Sequence, residues 1–368
     1  MPAEATPPAQ LKQWFDADRY RALADLLAAA APKTFDHKQF LDLTLSDLEA
    51  RGLMQRLRSA ALAADRALSG DFRGKVERLR QIAPQIRHSF VAIFLSDFVA
   101  THGLHDPEFS LAALRDFTPY GSAEFALRPF LERDLPGTLR VVRTWTEDPN
   151  EHVRRLASEG TRPRLPWGLR LRELTRDPSP TAPILDALRD DPALYVRKSV
   201  ANHLNDITKD HPTYVLDHLS AWRLAEHPRR QWIAKHACRT LIKRGDPRAL
   251  QLFGFGQRPQ LRASLHIEPA AIQLGQRIQL EARLLSAAAT PQQLAIDYVV
   301  HYIRATGPTA QKVFKWTELE LPPGAPHTLT KSQTIRDFST RKHHPGRHRV
   351  ELQINGHRLA EATFELRP

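Results

Sequence analysis

One pattern recurs in the first two thirds of the chain: a proline preceded by Asp or His, then, at a fixed distance, an apolar residue followed by cations. The three occurrences pair Asp148-Pro149 with Val153-Arg154-Arg155, Asp191-Pro192 with Val196-Arg197-Lys198, and His227-Pro228 with Trp232-Ile233-Ala234-Lys235. A proline fits the first position of a helix because the N–H there has no helical partner. The pattern therefore predicts repeated helical units, each with a helix that starts at its proline.

The spacing of these units indicates how they stack. Their starts lie 43 and then 36 residues apart, which is typical of two-helix, HEAT-like repeats. Up to about Gln260, apolar residues recur at intervals of three and four, which predicts helices throughout. In each unit the apolar residue would face the neighbouring repeat and the cation would project to one side. Stacked repeats form a solenoid, so these cations would line its concave surface.

The pattern changes after the segment Gly254-Phe255-Gly256. From Leu261 onward apolar and polar residues alternate in several short runs, which predicts strands. Asn355-Gly356 predicts a type I′ hairpin turn between two of them. About seven short strands in this region indicate an immunoglobulin-like or fibronectin-like sandwich without a disulfide. We therefore expect a disordered segment at 1–9, a helical domain at 10–257 and an all-β domain at 261–368.

Charge and composition narrow the class of protein. The net charge is +12 and the pI is about 10.1, which favours a polyanionic partner. The cations are clustered, with a net +6 in residues 227–248 and a net +4 in residues 139–176. No apolar run is long enough to cross a membrane, and the N-terminus lacks the pattern of a signal segment. Cys238, the single cysteine, cannot form an internal disulfide, so we expect a buried thiol and a cytoplasmic protein.

The segment from Asn150 to Trp167 brings several kinds of chemistry close together. An arginine-rich helical turn ends at Glu159-Gly160, and the following loop carries Arg162 and Arg164 to an aromatic residue. Cations that can hold phosphates, a carboxylate and an indole thus fall within two helical turns and a loop. A protein that handles positively charged, damaged bases in DNA needs this combination.

Three segments resemble the signatures of one known family. Glu151–Trp167, Tyr120–Arg128 and Val196–Asp206 are similar to segments of the AlkC branch of HEAT-like-repeat alkylpurine DNA glycosylases. The resemblance covers the whole chain, because AlkC-type proteins often append an immunoglobulin-like domain to the helical repeats. It implies excision of cationic N-alkylated bases such as 3-methyladenine from duplex DNA, without base flipping, leaving an abasic site. It also implies a monofunctional enzyme, active as a monomer and without metal or cofactor.

Four residues in these segments are the candidates for catalysis. Glu159 is the first choice to stabilise a sugar cation or activate water, because an anion at a helix C-terminus opposes the helix dipole. Glu124, in a loop before a helix, fits the same role or serves only as an N-terminal charge. Asp206 could join them or simply pair with Lys209. Trp167 could pack on a cationic nucleotide or cover a hydrophobic gap.

The cations of the same segments are candidate DNA contacts. We expect phosphate contacts from the arginines and lysines of the repeat motifs, their loop and the basic loop at 341–349, namely Arg154, Arg155, Arg162, Arg164, Arg197, Lys198, Arg341, Lys342 and Arg347. The basic loop also contains His343, His344 and His348. No carboxylate or cysteine lies at a useful spacing from them, so we expect DNA contact rather than a metal site there.

Two other functions remain open at this stage. Most helical solenoids are binding proteins, so a non-catalytic scaffold for protein or nucleic acid is one alternative. A sensor of alkylation damage that has kept the DNA surface but lost catalysis is the other. A scaffold has no need of acids within a cationic surface, and this favours the glycosylase.

Overall fold

The computed structural model describes residues 11–306, 309–338 and 342–368. Within these residues the first part of the chain is helical. The α-helices are α1 Ala17–Ala30, α2 His37–Leu45, α3 Leu53–Ala67, α4 Phe72–Ile82, α5 Ser89–His102, α6 Pro107–Phe117, α7 Arg128–Arg133, α8 Leu135–Thr144, α9 Glu151–Glu159, α10 Arg172–Arg176, α11 Ala182–Leu188, α12 Leu194–Ile207, α13 Pro212–Ser220, α14 Pro228–Ala237, α15 Arg239–Arg244 and α16 Pro247–Leu252. Short 3₁₀ helices lie at Leu11–Phe15, Leu48–Ala50, Ala83–Gln85, Trp145–Glu147, Ser179–Thr181 and Leu224–Glu226.

The repeated prolines begin helices in only one of the three predicted places. Pro228 is the first residue of α14, as predicted, but α9 and α12 begin two residues after Pro149 and Pro192. The reason is a turn made by the preceding aspartate. Asp148 Oδ1 accepts a hydrogen bond from Asn150 N, and Asp191 Oδ1 accepts one from Ala193 N, both at 2.8 Å. These Asx turns hold the proline outside the helix.

The same aspartates link successive repeats through arginines. Three aspartates of Asp-Pro pairs, Asp106, Asp148 and Asp191, accept hydrogen bonds from an arginine 33 or 37 residues earlier. The pairs, with their Nε–Oδ2 distances, are Arg73–Asp106 at 2.6 Å, Arg115–Asp148 at 2.7 Å and Arg154–Asp191 at 2.6 Å. The side chains of Asp148 and Asp191 are almost fully buried, so these two ion pairs contribute more to stability than exposed surface pairs do. These arginine–aspartate pairs thus link each repeat to the next and fix the spacing of the repeats.

The apolar residue of the pattern is buried as predicted in two of the three units; in the third, Trp232 is 37% exposed and the next residue, Ile233, is buried instead. Val153 and Val196 are 3% and 0% exposed. They lie on α9 and α12, two helices that pack against each other. Burying two β-branched side chains between neighbouring helices is worth roughly 1.5–3 kcal/mol each. This contact brings the C-terminal end of α9 close to α12.

The C-terminal part of the chain is an all-β sandwich, which confirms the predicted fold class. Its strands are β1 Leu261–Glu268, β2 Ala271–Gln273, β3 Arg277–Ser286, β4 Gln292–Tyr302, β5 Ala310–Leu321, β6 Pro326–Thr334, β7 Gly346–Ile354 and β8 His357–Arg367. They form one sheet in the order β1-β3-β6 and another in the order β2-β8-β7-β4-β5. Side chains from both sheets, among them Leu280, Tyr298 and Phe364, share one core. Asn355 and Gly356 both have positive φ and close the β7–β8 hairpin as predicted.

The chain forms two compact units, the first ending at Asp210 and the second starting at His211. The helices α13–α16 therefore belong to the same unit as the sandwich. Within that unit Gln353 Nε2 donates to Lys243 O at 3.3 Å. The predicted boundary at 257–261 coincides with the change from helix to strand, and as a domain boundary it stays a prediction. The predicted disordered segment 1–9 lies outside the described residues.

Two composition-based expectations concern single features. Cys238 is buried, as predicted, and burial raises the pKa of its thiol to about 12. Among the described residues, no helix has the length and apolar character needed to span a bilayer.

Candidate active site

Glu159 lies at the C-terminal end of α9 and is only 6% exposed. Its carboxylate would be unfavourable here, because the helix dipole places partial negative charge at this end. Three side chains offset that cost. Arg162 Nη1 donates to Glu159 Oε1 at 2.6 Å, and Ser199 Oγ donates to Glu159 Oε2 at 2.6 Å. Arg155 Nη2 lies 3.5 Å from Glu159 Oε1. The sequence prediction that Glu159 ends its helix is confirmed.

Two arginines connect this carboxylate to the other two candidate acids. Arg155 Nη1 lies 2.9 Å from Glu124 Oε2, while its Nη2 faces Glu159. Arg162 Nε donates to Asp206 Oδ2 at 2.8 Å, while Nη1 of the same guanidinium donates to Glu159. The five side chains thus form an alternating row of acids and cations, in the order Glu124, Arg155, Glu159, Arg162, Asp206, which we call the carboxylate row. The structure brings together three residues that are far apart in sequence.

The carboxylate row is buried and its charge is nearly balanced. All five side chains are 14% exposed or less. The three acids exceed the two arginines by one negative charge, and Lys209 Nζ lies 2.8 Å from Asp206 Oδ1 at one end. Carboxylates fixed by guanidinium groups are suited to stabilising a cation, and they need no reorganisation when that cation forms. Arg155 and Arg162 have their donors directed at acids, so their predicted role as phosphate contacts stays a prediction.

Trp167 stands on the surface at the end of the loop that follows α9. Its side chain and backbone are 73% exposed, and its φ is +63°. A left-handed backbone is rare for a bulky residue and costs about 1–3 kcal/mol, so surrounding contacts must hold it. Gly168 N donates to Leu165 O at 3.1 Å and Leu171 N donates to Pro163 O at 3.2 Å, which closes the loop. The indole is therefore presented to solvent by a constrained backbone.

The other predicted phosphate contacts in this region divide into two kinds. Arg154 donates to both oxygens of Asp191, at 2.6 and 3.2 Å, and is largely buried. Arg164 makes a similar pair with Asp210 but is about a quarter exposed. Arg197 donates to the carbonyls of Asp191 and Pro192 at 2.6 and 2.8 Å. These three side chains stabilise the repeats, and contact with phosphate by them remains a prediction.

Lys198 differs from these arginines. It is exposed on α12 and forms no ion pair with any described residue. In the β-sandwich, Lys342 pairs with Asp337 at 3.2 Å, and Arg347 donates to Thr363 Oγ1 at 3.2 Å, both from exposed positions. Arg341 lies outside the described residues. Lys198 is thus the repeat-motif cation whose ammonium is most available to a ligand.

This difference gives a test by salt dependence. We expect Lys198→Ala to make the slope of log K against log salt for duplex binding shallower by about one unit, the effect of one lost phosphate contact. Arg154→Ala should instead lower the free energy of unfolding by about 3 kcal/mol, because it leaves Asp191 buried and unpaired. Fluorescence titrations at several salt concentrations and thermal melts measure both effects. An unchanged slope for Lys198→Ala would remove this lysine from the DNA surface.

Sequence reasoning missed three residues around the carboxylate row. Tyr195 is 39% exposed, and its ring lies 5.1 Å from the guanidinium of Arg155. Ser199 holds Glu159, as described above. His203 is fully buried, with Nδ1 3.0 Å from Ser158 O. Burial, together with the nearby charge of Arg162, lowers the pKa of His203 to about 3, so it is neutral at physiological pH.

Two of these residues, Tyr195 and Ser199, could have been identified from their positions on α12. Tyr195 and Ser199 directly precede Val196 and Val200, which are both fully buried. Both lie in the third resembling segment or directly beside it, at positions one helical turn apart.

Among the described residues, no group of three or more His, Cys, Asp or Glu side chains could hold a metal ion.

Comparison with known proteins places these features in a family. Residues 118–241, which include the whole carboxylate row, match the family described as DNA alkylation repair enzyme. Residues 262–368 match the family described as the C-terminal Ig-like domain of the uncharacterised protein YhaZ. The chain is 46% identical to alkylpurine DNA glycosylase AlkC from Pseudomonas fluorescens, over 98% of this chain and 100% of that one, with a TM-score of 0.94. The chain belongs to the AlkC family.

The AlkC family also has a relative in Bacillus subtilis. The uncharacterized protein YhaZ of strain 168 is 38% identical over 360 residues, which is 97% of this chain and 99% of that protein. The AlkC structure from Pseudomonas fluorescens is described as bound to DNA containing an abasic site analog. The family resemblance predicted from the three sequence segments is therefore confirmed, and so is the predicted combination of a helical region with an immunoglobulin-like domain.

Proposed function

We propose that this AlkC-family chain is a DNA glycosylase of alkylation repair that releases cationic N-alkylated bases from duplex DNA. The proposed substrates are 3-methyladenine and, with the same positive charge on the base, 3-methylcytosine and 1-methyladenine. The product is an abasic site. The observation that carries the proposal is the carboxylate row, together with the exposed indole of Trp167 on the loop that also supplies Arg162. It is supported by the DNA complex with an abasic site analog that is described for the relative from Pseudomonas fluorescens.

The chemistry of the substrate fits the ion pairs of the row. In hydrolysis the bond between C1′ and the base nitrogen breaks, and its electron pair leaves with the base, which becomes neutral. A cationic base therefore needs no proton from the enzyme. Positive charge develops on the deoxyribose instead, water adds to C1′, and the water proton passes to a carboxylate or to solvent. Ion-paired carboxylates can stabilise that charge, whereas they are poor proton donors.

The row also favours this function over a non-catalytic scaffold. A surface that only binds DNA gains from exposed cations and loses from acids, because DNA is a polyanion. Here three acids lie within one small region, and two arginines are directed at them rather than at solvent. Burying ionic groups is costly unless geometry or function demands it. A scaffold gives no reason to retain this arrangement.

The position of Trp167 supports excision without base flipping. A flipped base needs an enclosing pocket that stacks on both of its faces. The indole is 73% exposed and projects from a surface loop. From this position it can pack against a cationic nucleotide that remains in the DNA, with a cation–π contact worth about 0.5–2 kcal/mol.

Base release from defined duplexes tests the proposal. We expect the purified protein to release free 3-methyladenine from methylated duplex DNA and to leave an equal amount of abasic sites. An unmodified duplex should release nothing, because a neutral leaving base makes the C1′ bond too strong for three carboxylates to break. Liquid chromatography of the released bases measures the reaction. Tight binding of methylated DNA with no released base would instead indicate a damage sensor.

A further inference from the structure

Arg128 is a fully buried arginine that does not belong to the carboxylate row. It begins α7, at the end of the segment 120–128, and its side chain reaches the loop that follows α9. Its Nη1 donates to Gly160 O at 3.1 Å and to Arg162 O at 2.9 Å, and its Nε donates to Leu169 O. One guanidinium thus holds both ends of the loop that carries Arg162 and Trp167.

The two segments are braced in both directions. Arg155, from α9, donates to Ser122 and Glu124 in the first segment, while Arg128, from the first segment, donates to the loop after α9. The side chain of Leu127, from the first segment, also packs closely against Gly160. A Cβ added to Gly160 would lie 2.5 Å from Leu127 Cδ2, so any larger residue here would have to displace the buried Leu127 side chain. The loop therefore has a fixed place relative to Glu124.

The cost of Arg128 indicates that its contacts matter. A guanidinium with 0% exposure, and with no ion pair to a carboxylate in the part of the chain that the structure describes, loses its hydration, and burial lowers the pKa of Arg128 to about 10. A leucine or methionine would fill the same space without that cost. What an apolar residue cannot do is satisfy three carbonyls in an irregular loop, one of them, Gly160 O, at the end of α9.

We propose that Arg128 is a positioning residue for the reaction, which fixes the loop 160–169 so that Arg162 reaches Glu159 and Trp167 keeps its left-handed backbone. The inference rests on the proposed glycosylase function. Arg128 acts only through backbone carbonyls and touches neither substrate nor the carboxylates. Without it the loop is free to move by an ångström or more. Misplacement of about 1 Å can slow a reaction roughly 10²-fold.

Arg56 offers a matched control for the loss of a buried arginine. It is 1% exposed and also donates to three carbonyls, those of Arg51, Lys12 and Phe15, at 3.0 to 3.1 Å. It lies on α3, its Nη2 is also 3.5 Å from the exposed carboxylate of Glu49, and among the described residues none of its hydrogen bonds reaches the loop 160–169. Arg128→Met and Arg56→Met should therefore lower Tm by similar amounts. Only the first should affect the loop.

The experiment compares these variants of the full-length protein in single-turnover release of 3-methyladenine, well below their Tm. We expect Arg128→Met to slow release about 10²-fold with little change in affinity for an unmodified duplex. Arg128→Lys should fall between it and the wild type, because an ammonium can still donate to one or two of the carbonyls. Arg56→Met should keep the wild-type rate. Fluorine NMR of 5-fluorotryptophan protein, with Trp167 assigned by Trp167→Phe, should show a shifted Trp167 signal in Arg128→Met alone.

Two results would overturn the positioning role. One is a wild-type rate and Trp167 signal in Arg128→Met. The other is an equal loss of rate in Arg128→Met and Arg56→Met, which would mean general destabilisation. If Arg128→Met does not fold, the same readings on Arg128→Lys decide. If the wild type releases no base, the proposed function fails, and the Trp167 signal still tests whether Arg128 fixes the loop.

Discussion

Replacing Glu159 by Gln is expected to slow single-turnover release of 3-methyladenine by about 10²-fold or more, the effect of losing one preorganised electrostatic group. The amide keeps the size of the side chain; its oxygen can still accept a hydrogen bond from Arg162, and its NH2 group can donate to Ser199 Oγ. What it loses is the negative charge next to the developing sugar cation. Affinity for an unmodified duplex should change little, because Glu159 is buried and repels phosphate if anything.

Glu151→Gln is the control for this change. Glu151 begins the same helix that Glu159 ends, and it is exposed to solvent. Its substitution removes the same charge at a distance of two helical turns. We expect wild-type rates from it. If Glu159→Gln also releases 3-methyladenine at the wild-type rate, Glu159 is a structural residue at the end of α9 and the catalytic assignment is wrong.

Replacing Arg162 by Met is expected to lower the free energy of unfolding by about 3 kcal/mol or more, because it leaves two buried carboxylates without their shared cation. The acids affected are Glu159 and Asp206, which are 6% and 2% exposed. Base release should fall as well, since the distance between the two carboxylates is no longer fixed. Chemical denaturation followed by circular dichroism measures the first effect.

Arg164→Met, two residues further along the same loop, provides the comparison. Arg164 pairs with Asp210 at 2.6 Å, but both side chains are more than a quarter exposed. Exposed pairs contribute about 0–1 kcal/mol, so this change should cost little stability. Equal losses in the two variants would mean that the burial of Arg162 has no energetic consequence. A slope change in salt-dependent DNA binding for Arg162→Met would revive its role as a phosphate contact.

The sequence predicted the fold where local signals were strong. The period of three and four, followed by a period of two after Leu261, identified the helical and β regions, and Asn355-Gly356 identified its hairpin. The starts of α9 and α12 were misplaced by two residues. The error arose because Asp148 and Asp191 form Asx turns, and a proline after such a turn need not be the first residue of the helix. That choice depends on a competing side-chain hydrogen bond.

The grouping of the acids was predicted from the sequence, whereas the intramolecular partners of the cations were not. Glu159, Glu124 and Asp206 were singled out, and the structure brings them together. Arg154 was read as a DNA contact, but its partner Asp191 lies 37 residues away, and spacing along one helix cannot reveal such a pair. The same applies to Arg128, whose acceptors are carbonyls 32 to 41 residues further on. Tertiary partners of a cation are the information that one sequence lacks.

A double-mutant cycle on Glu124 and Glu159 tests most directly whether the carboxylate row is the catalytic centre. Single-turnover release of 3-methyladenine is measured for the wild type, Glu124→Gln, Glu159→Gln and the double variant. If both acids, which Arg155 links, stabilise one developing charge, each single change slows release. The double change then slows release by less than the product of the two single effects. Wild-type rates in both single variants, or losses that multiply as if the sites were independent, would contradict a single catalytic row.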